Sequence, residues 1–150
     1  EYRPGIKAAR QAKVISPLAK LKIGKIAIRK ISMSLGFPWW NKPAQPCLAS
    51  RFPYGQIIDK EKLNQVEEAE AWLKTKGFPE SRVRNYGLEA IIEVPQSKIK
   101  DLISNLSPNE IKEKFLSLGF LTVRLDKEGL ISGKLNQVNH LDHQKNTLRL

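Results

Sequence analysis

"SRVRNYGLEAIIEV", residues 81–94, is the stretch that decides the fold, because it contains two short strand patterns separated by a single glycine. A period of two places Arg82 and Arg84 on one face of the first pattern and Val83 and Asn85 on the other, and apolar residues dominate 88–94. Gly87 between them is typical of a hairpin turn. The stretch therefore predicts two antiparallel strands, and a two-residue turn at Tyr86 and Gly87 would set Arg84 opposite Glu89.

Helical patterns lie on both sides of this hairpin. The preceding helix is predicted over residues 60–77, with Asp59 as its N-cap and Gly77 at its end. The elements that follow are a short helix over 96–106, a helix over 107–119 that begins with a Ser-Pro cap, and a third strand over 121–125. This order favours a small α+β domain of helices layered on a sheet, and 131–150 is predicted to be a polar tail.

The first fifty residues have a different character. A basic amphipathic helix is predicted from about Lys20 to Leu35, ended by Gly36 and Pro38. Residues 1–50 contain ten Lys or Arg and one acidic residue, whereas 51–150 contain sixteen Lys or Arg and fourteen acidic residues. Such a cluster is typical either of a surface that meets phosphates or nucleic acid, or of a solvated lysine-rich face.

Composition excludes several classes of protein. No apolar run approaches the roughly 18 residues that a membrane span needs, and the first residues lack the apolar centre of a signal peptide, so we expect a cytoplasmic protein with no membrane partner. A single cysteine, Cys47, excludes an internal disulfide. His140 and His143 are spaced like metal ligands, but two ligands are too few for a zinc site, so any metal remains unknown.

Three charged residues break the patterns in which they lie. Glu70 falls on the apolar side of the helix predicted over 60–77, where an unpaired carboxylate is costly, so we expect a cationic partner supplied by the hairpin. A boundary glutamate facing water, near Lys74, is the alternative. Arg82 and Arg84 lie on one face of their strand, roughly 7 Å apart, a spacing that suits a bound anion. A cross-strand ion pair is the alternative for Arg84.

The segment around the cysteine resembles a known family. "WWNKPAQPCLASRFPYG" at 39–55, together with "YRPG" upstream and "RVRNYG", "IEVP" and "LDKEG" downstream, is similar to the C-terminal part of the LarE family of ATP-dependent sacrificial sulfur transferases, which belong to the PP-loop superfamily. The resemblance covers about residues 2–135. The "SGGxDS" loop with which that family binds ATP is absent from these 150 residues, so we expect the chain to be the back part of a longer enzyme.

The resemblance implies an activity and a set of site residues. In the family, ATP adenylates a carboxylate of a pyridinium biscarboxylate mononucleotide, a cysteine displaces AMP, and the cysteine sulfur leaves with the product during biosynthesis of the nickel-pincer cofactor of lactate racemase. Cys47 matches the sacrificial residue, and Ser50 and Arg51 match the segment that contacts the substrate phosphate. Glu70, Arg82 and Arg84 fall where the family has polar active-site residues.

The resemblance also implies domains, cofactors and partners. Residues 1–50 would be the end of a PP-loop, Rossmann-like ATP pyrophosphatase domain plus a connector with Cys47, residues 51–130 a small α+β substrate or oligomerisation domain, and 131–150 the tail. ATP and Mg²⁺ would be bound mainly by the missing N-terminal part, so this chain would be inactive alone. The expected partners are a nucleotide substrate and further copies of the chain. Asn41, Asn85, Tyr86 and Ile131 depart from the family pattern.

Two rival interpretations remain open. A PP-loop relative that thiolates transfer RNA would account for the N-terminal charge, although such enzymes commonly use further cysteines. A non-catalytic basic module that binds nucleic acid would leave Cys47 as a packing residue. Nucleic acid is thus the less favoured partner.

Overall fold

The computed structural model describes residues 4–42, 46–131, 134 and 147–150. The chain divides into two compact units, Glu1–Ala44 and Gln45–Leu150, so that Cys47 falls in the second unit. Helices α1 (Pro4–Gln11), α2 (Pro17–Lys20) and α3 (Lys25–Ser34) belong to the first unit.

The helix predicted from about Lys20 to Leu35 begins only at Lys25, as α3, because α2 ends at Lys20; the prediction was therefore wrong at its start. Lys22 has a left-handed backbone with φ of 55°, and Gly24 is the N-cap of α3. A left-handed residue cannot continue a right-handed helix, which is why the chain breaks here. The end was predicted correctly, because Gly36 follows α3 with φ of 74° and donates its amide to the Met33 carbonyl.

The second unit is an α+β domain, as the element order predicted. Its helices are α4 (Lys60–Thr75), α5 (Ile99–Asn105) and α6 (Pro108–Ser117), and its strands are β1 (Arg82–Tyr86), β2 (Glu89–Glu93), β3 (Thr122–Asp126) and β4 (Thr147–Arg149). Both predicted caps are confirmed: the Asp59 carboxylate accepts the Lys62 amide at 2.8 Å, and the Ser107 hydroxyl accepts the Glu110 amide at 3.1 Å.

The four strands form one mixed sheet in the order β1-β2-β3-β4. The β1–β2 and β3–β4 pairs are antiparallel, and β2–β3 is parallel. The sequence pattern did not indicate β4, which lies inside the stretch predicted as a polar tail. The prediction of a polar tail over 131–150 was therefore wrong at this strand. The pairing of β4 with β3 is non-local, and a strand of three residues is too short to show a recognisable pattern in the sequence.

The core of this unit lies between the helices and the sheet. Helix α4 packs on β1, and α6 packs on β3. Val66, Ala69 and Leu73 of α4 are fully buried, which confirms the apolar stripe predicted for that helix. The largest core side chains are Phe115 and Phe120, whose rings lie 5.7 Å apart. The short turn Leu48–Arg51, directly after Cys47, contacts both α4 and β1.

No membrane-spanning helix is present among the residues that the structure describes: none of these helices combines the required length with the required apolar character.

Candidate functional site

Cys47 is exposed and lies at the start of a short turn. It is the N-cap of a 3₁₀ turn formed by Leu48–Arg51, and its carbonyl accepts the Ser50 amide at 2.9 Å. The backbone at Cys47 is extended, with φ of −51° and ψ of 144°. An exposed thiol at the end of a turn is accessible to a reaction partner, so Cys47 is not a packing residue of the core.

Arg51 holds this turn in place through a nearly buried side chain. Its side chain is only 7% exposed, and its Nε and Nη2 donate to the two carboxylate oxygens of Glu70 at 2.7 and 3.0 Å. Its Nη1 donates to the Pro46 carbonyl at 3.3 Å and to the Ser50 hydroxyl at 3.0 Å. Because Pro46 and Ser50 flank Cys47, one guanidinium holds both sides of the cysteine.

Glu70 pairs with a cation, as its place on the apolar side of α4 required, but this cation is not the one that the sequence predicted. Sequence reasoning assigned that partner to the hairpin, and the structure corrects this to Arg51. The hairpin contributes its main chain instead, since the Val83 amide donates to Glu70 Oε1 at 2.9 Å. β1 lies at the edge of the sheet next to α4, which is why its backbone, rather than a side chain, reaches the carboxylate. Three hydrogen bonds thus engage both oxygens of Glu70.

Arg84 is a second buried guanidinium under the same turn. It is 4% exposed, its Nη1 donates to the Ser50 carbonyl at 2.6 Å, and its Nη2 donates to Glu93 Oε2 at 2.8 Å. Glu93 is completely buried, so this is an ion pair within the domain interior. Arg84 and Arg51 therefore both position Ser50, one through its carbonyl and the other through its hydroxyl.

The hairpin register explains why Arg84 pairs with Glu93. The predicted register, with Arg84 opposite Glu89, was wrong by two residues, because the turn consists of Gly87 and Leu88. Tyr86 faces Glu89, and Arg84 faces Ile91, which leaves Glu93 diagonal to Arg84.

Sequence reasoning did not identify Glu93 as a site residue. Its signal was a carboxylate inside the otherwise apolar run "AIIEV" at 90–94, where a buried acid requires a partner. Glu89 instead pairs with Arg124 of β3 at 2.6 Å.

Arg82 differs from Arg51 and Arg84, because its guanidinium group does not donate to Glu70, to Glu93 or to the cysteine turn. It is partly exposed, and within the described residues its side chain makes no hydrogen bond or ion pair. Burial, and after it the positive charges of Arg84 and Arg51, lowers the pKa of Arg82 from its ordinary value. Glu93 and Glu70 act in the opposite direction and raise this pKa, so the two arginine–glutamate pairs beside Arg82 balance in charge, and the positive charge of Arg82 itself would attract an anion.

The described residues offer no cluster of three or more histidine, cysteine or acidic side chains that could bind a metal. His140 and His143 lie outside the described residues.

These features define a class: a small α+β domain that presents one exposed cysteine on a turn held by two arginine–glutamate pairs, of which one is buried and the other partly buried. No family model matches the chain. The chain is 38% identical to pyridinium-3,5-bisthiocarboxylic acid mononucleotide synthase of Lactiplantibacillus plantarum, over 91% of this chain and 49% of that protein. This similarity supports a LarE-like relationship.

Two further relatives are uncharacterized proteins. One, from Synechocystis, is 50% identical over 92% of this chain and 52% of its own length. The other, from Methanocaldococcus jannaschii, is 34% identical over 85% of this chain and 49% of its own length. The chain therefore spans about half the length of the curated relatives it matches.

Proposed function

We propose that this chain is the C-terminal part of a LarE-like sacrificial sulfur transferase, in which Cys47 gives its sulfur to a carboxylate of a pyridinium biscarboxylate mononucleotide. The similarity to the mononucleotide synthase supports the reaction class. The observation that carries the role of Cys47 is its exposure on a turn held on both sides by buried guanidinium groups.

The proposed reaction has two steps. In the first, the Cys47 thiolate attacks the adenylated carboxylate, so that a C–S bond forms, the C–O bond to AMP breaks and AMP leaves with the electron pair. In the second, a base removes the Cα proton of Cys47, the Cβ–S bond breaks and its electrons go to sulfur. Product thiocarboxylate departs, and dehydroalanine remains in the chain. Neither step requires an oxidant or a reductant.

The buried pairs suit the second step. Elimination requires the Cα–H bond to be aligned with the Cβ–S bond, so the backbone around Cys47 has to be fixed while its side chain reacts. Arg51 and Arg84 would act as positioning residues, because their guanidinium groups donate to the turn and to Glu70 or Glu93. The base is unassigned, since both oxygens of Glu70 already accept hydrogen bonds.

Arg82 is the proposed anchor for the phosphate of the substrate. Its side chain is partly exposed, and it lies beside two arginine–glutamate pairs whose charges balance, which leaves the charge of Arg82 available to an anion. Ser50 would contribute by its place in the same turn. ATP and Mg²⁺ would be bound by a part of the enzyme outside these 150 residues, so the isolated chain would lack activity. A cytoplasmic location and assembly with further copies of the chain are part of this proposal.

The sulfur donor can be tested by mass spectrometry. The full-length enzyme is incubated with ATP, magnesium and the biscarboxylate mononucleotide, and the peptide with Cys47 is weighed after one turnover. We expect it to become lighter by one H₂S, as conversion of cysteine to dehydroalanine requires. Cys47→Ala is the control and should form no thiocarboxylate. Product formation beside an unchanged peptide mass would reject the proposal.

The anion site is tested with Arg82→Ala alone, because a change at Arg84 would also break a buried ion pair. Loss of a hydrogen-bonded charged contact costs about 1.5–3 kcal/mol, and mononucleotide binding should therefore weaken roughly tenfold to a hundredfold. Arg124→Ala, which removes a partly buried arginine already paired with Glu89, is the matched control and should leave the affinity unchanged. If Arg82→Ala binds the mononucleotide as tightly as the unaltered protein does, Arg82 is not part of the anion site.

A second candidate, thiolation of transfer RNA, is favoured by one observation, the ten basic residues and one acidic residue of the first unit. Each phosphate contact makes binding more salt-dependent. RNA affinity that falls steeply with salt would support this alternative, and a shallow slope would count against it.

A further inference from the structure

The segment that follows Cys47 is held by two consecutive residues of β1. Arg84 Nη1 donates to the Ser50 carbonyl at 2.6 Å. The next residue, Asn85, accepts a hydrogen bond at its Oδ1 from Gln56 Nε2 at 3.0 Å. Successive side chains of a strand point to opposite faces of its sheet. Ser50 is therefore held from one face of the sheet and Gln56 from the other.

Between these two points the segment passes the free edge of the sheet. In the strand order of the described residues, β1 has β2 as its one neighbour, so its other side is an edge. Glu70, the partner of Arg51, accepts the Val83 amide from this edge at 2.9 Å. Phe52, the next residue after Arg51, is 5% exposed and belongs to the hydrophobic core. Residues 50–56 thus run from the charged face, past the edge, to the core face, and we call them the edge strap.

Asn85 is completely buried, and both polar atoms of its side chain are engaged. Its Oδ1 accepts from Gln56 and from the Gly87 amide at 2.9 Å, and its Nδ2 donates to Gln65 Oε1 at 2.9 Å. Gln65, on α4, donates in turn to the Leu118 carbonyl at 2.8 Å. A buried amide that donates and accepts in this way has its orientation fixed by its partners. Asn85 therefore ties the far end of the edge strap to the hairpin, to α4 and to the turn after α6.

The near end and the far end of the edge strap are held by different kinds of contact. The guanidinium groups of Arg51 and Arg84 hold the near end, at Pro46 and Ser50. Toward the far end, Phe52 packs in the core, but apolar packing is non-directional and does not by itself fix the path of the backbone. The hydrogen bond from Gln56 to Asn85 supplies a directional contact there.

We propose that Asn85 is a positioning residue for the cysteine: through Gln56 it fixes the far end of the edge strap, and it thereby restricts the backbone at Cys47. A segment with one fixed end can rotate about that end, whereas two fixed ends on opposite faces of a sheet leave it a single path. The support is the pair of contacts that consecutive residues of β1 make with Ser50 and Gln56.

The consequence for the reaction rests on the proposed function. In the first step the Cys47 thiolate attacks, and rotation of the side chain can bring the sulfur to the adenylated carboxylate. In the second step the Cα–H bond has to be aligned with the Cβ–S bond, and this alignment depends on the backbone. Loss of the contact between Gln56 and Asn85 should therefore slow elimination more than thioester formation.

Hydrogen exchange in the full-length enzyme tests the restriction of the backbone. Gln56→Ala removes the contact with Asn85 from the side of the strap, where the residue is partly exposed. The reporter is the Ser50 amide, which donates to the Cys47 carbonyl at 2.9 Å. It should exchange about fivefold faster in the variant, as expected for the loss of one neutral hydrogen bond that resists local opening. The amide of Ile92, a buried residue of β2, is the internal reference and should be unchanged.

Gln65→Ala is the matched control. Gln65 is also a partly exposed glutamine bonded to Asn85, but it lies on α4 and does not contact the edge strap through that bond. Its removal breaks the bonds to Asn85 and to the Leu118 carbonyl, whereas Gln56→Ala breaks only the bond to Asn85. A merely structural role of these amides predicts the larger effect for Gln65→Ala. The positioning role predicts faster exchange of Ser50 in Gln56→Ala and unchanged exchange in Gln65→Ala.

A single turnover of the same variants, followed by the mass of the peptide with Cys47, separates the two chemical steps. In Gln56→Ala the peptide that carries the substrate as a thioester should form at the rate of the unaltered enzyme and then decay to dehydroalanine about fivefold more slowly. In Gln65→Ala both rates should equal those of the unaltered enzyme.

Three results would overturn the proposal. The first is an unchanged exchange rate of the Ser50 amide in Gln56→Ala. The second is an equal increase in both variants, which would mean a general loosening of the domain. The third is faster exchange in Gln56→Ala with an unchanged decay of the thioester. If exchange responds as expected but the unaltered enzyme transfers no sulfur, the restriction of the cysteine backbone stands and the proposed function fails.

Discussion

Removal of the Glu70 carboxylate is the most direct test of how the cysteine turn is held. In Glu70→Ala, Arg51 stays buried with no counter-charge, and the Val83 amide at the edge of the sheet loses its acceptor. Breaking a buried ion pair by removal of one partner costs about 3–5 kcal/mol. Because the Glu70 side chain is 18% exposed, water can replace part of the lost interaction, and we expect a value near the lower end, about 3 kcal/mol.

Urea unfolding followed by circular dichroism measures this cost. With a denaturant dependence of about 1–3 kcal/mol per molar urea for a small domain, the loss corresponds to a midpoint lowered by about 1–3 M. The matched control is Glu110→Gln, which breaks a pair with Lys76 whose side chains are 37% and 40% exposed. An exposed pair contributes at most about 1 kcal/mol, so this variant should unfold close to the unaltered chain.

A double variant separates the charge from the space that it occupies. In Arg51→Met with Glu70→Leu, neither charge is left buried, and apolar replacement of a buried pair is often neutral. We expect this variant to recover much of the stability lost in Glu70→Ala. If Glu70→Ala unfolds at the same urea concentration as Glu110→Gln, the pair does not hold the turn, and the positioning role of Arg51 is refuted.

Three further predictions concern stability and titration. Gly129→Ala should destabilise the chain more than Gly87→Ala. Both glycines have a left-handed φ, which costs about 1–2 kcal/mol for other residues, but the added carbon at position 129 would also lie 2.6 Å from the Val94 carbonyl oxygen. The urea midpoint of Gly129→Ala should therefore be lower than that of Gly87→Ala. Hydrogen bonding to the backbone lowers the pKa of Asp59 below 3.8, so the urea midpoint of the unaltered chain should exceed that of Asp59→Asn at neutral pH, and the difference should disappear as pH falls through the lowered pKa. Burial raises the pKa of Tyr86 to about 12, so a phenolate absorbance step near that pH should vanish in Tyr86→Phe, and the stability linked to the neutral phenol should be lost as pH rises from 10.0 through about 12.

Local signals in the sequence predicted most elements of the second unit. Asp59, Gly77 and Ser107 mark helix ends through their own side chains or backbone, and these short-range preferences do not depend on the rest of the fold. The α3 start was mistaken because its break occurs at Lys22, a residue with no turn preference, and the hairpin register was mistaken because Gly87 fits either of two turn positions.

For the candidate site, the sequence identified the residues, and the structure was needed to show how they pair. Cys47, Ser50, Arg51, Glu70, Arg82 and Arg84 were all identified from the sequence. The structure brings five of them together by direct hydrogen bonds or through the cysteine turn, and places Arg82 beside the same charges. Their pairing was not predictable, because which cation meets Glu70 depends on how α4 lies against β1.

The sequence by itself determined the order of the elements from α4 to β3, the helix caps of that region and the identity of the one cysteine, because each follows from a residue and its near neighbours. Only the tertiary structure decided that Arg51 pairs with Glu70, that Glu93 takes Arg84, and that 147–149 joins the sheet. Those pairings join residues far apart in the chain, and a buried charge selects its partner by three-dimensional proximity, which the order of residues alone does not encode.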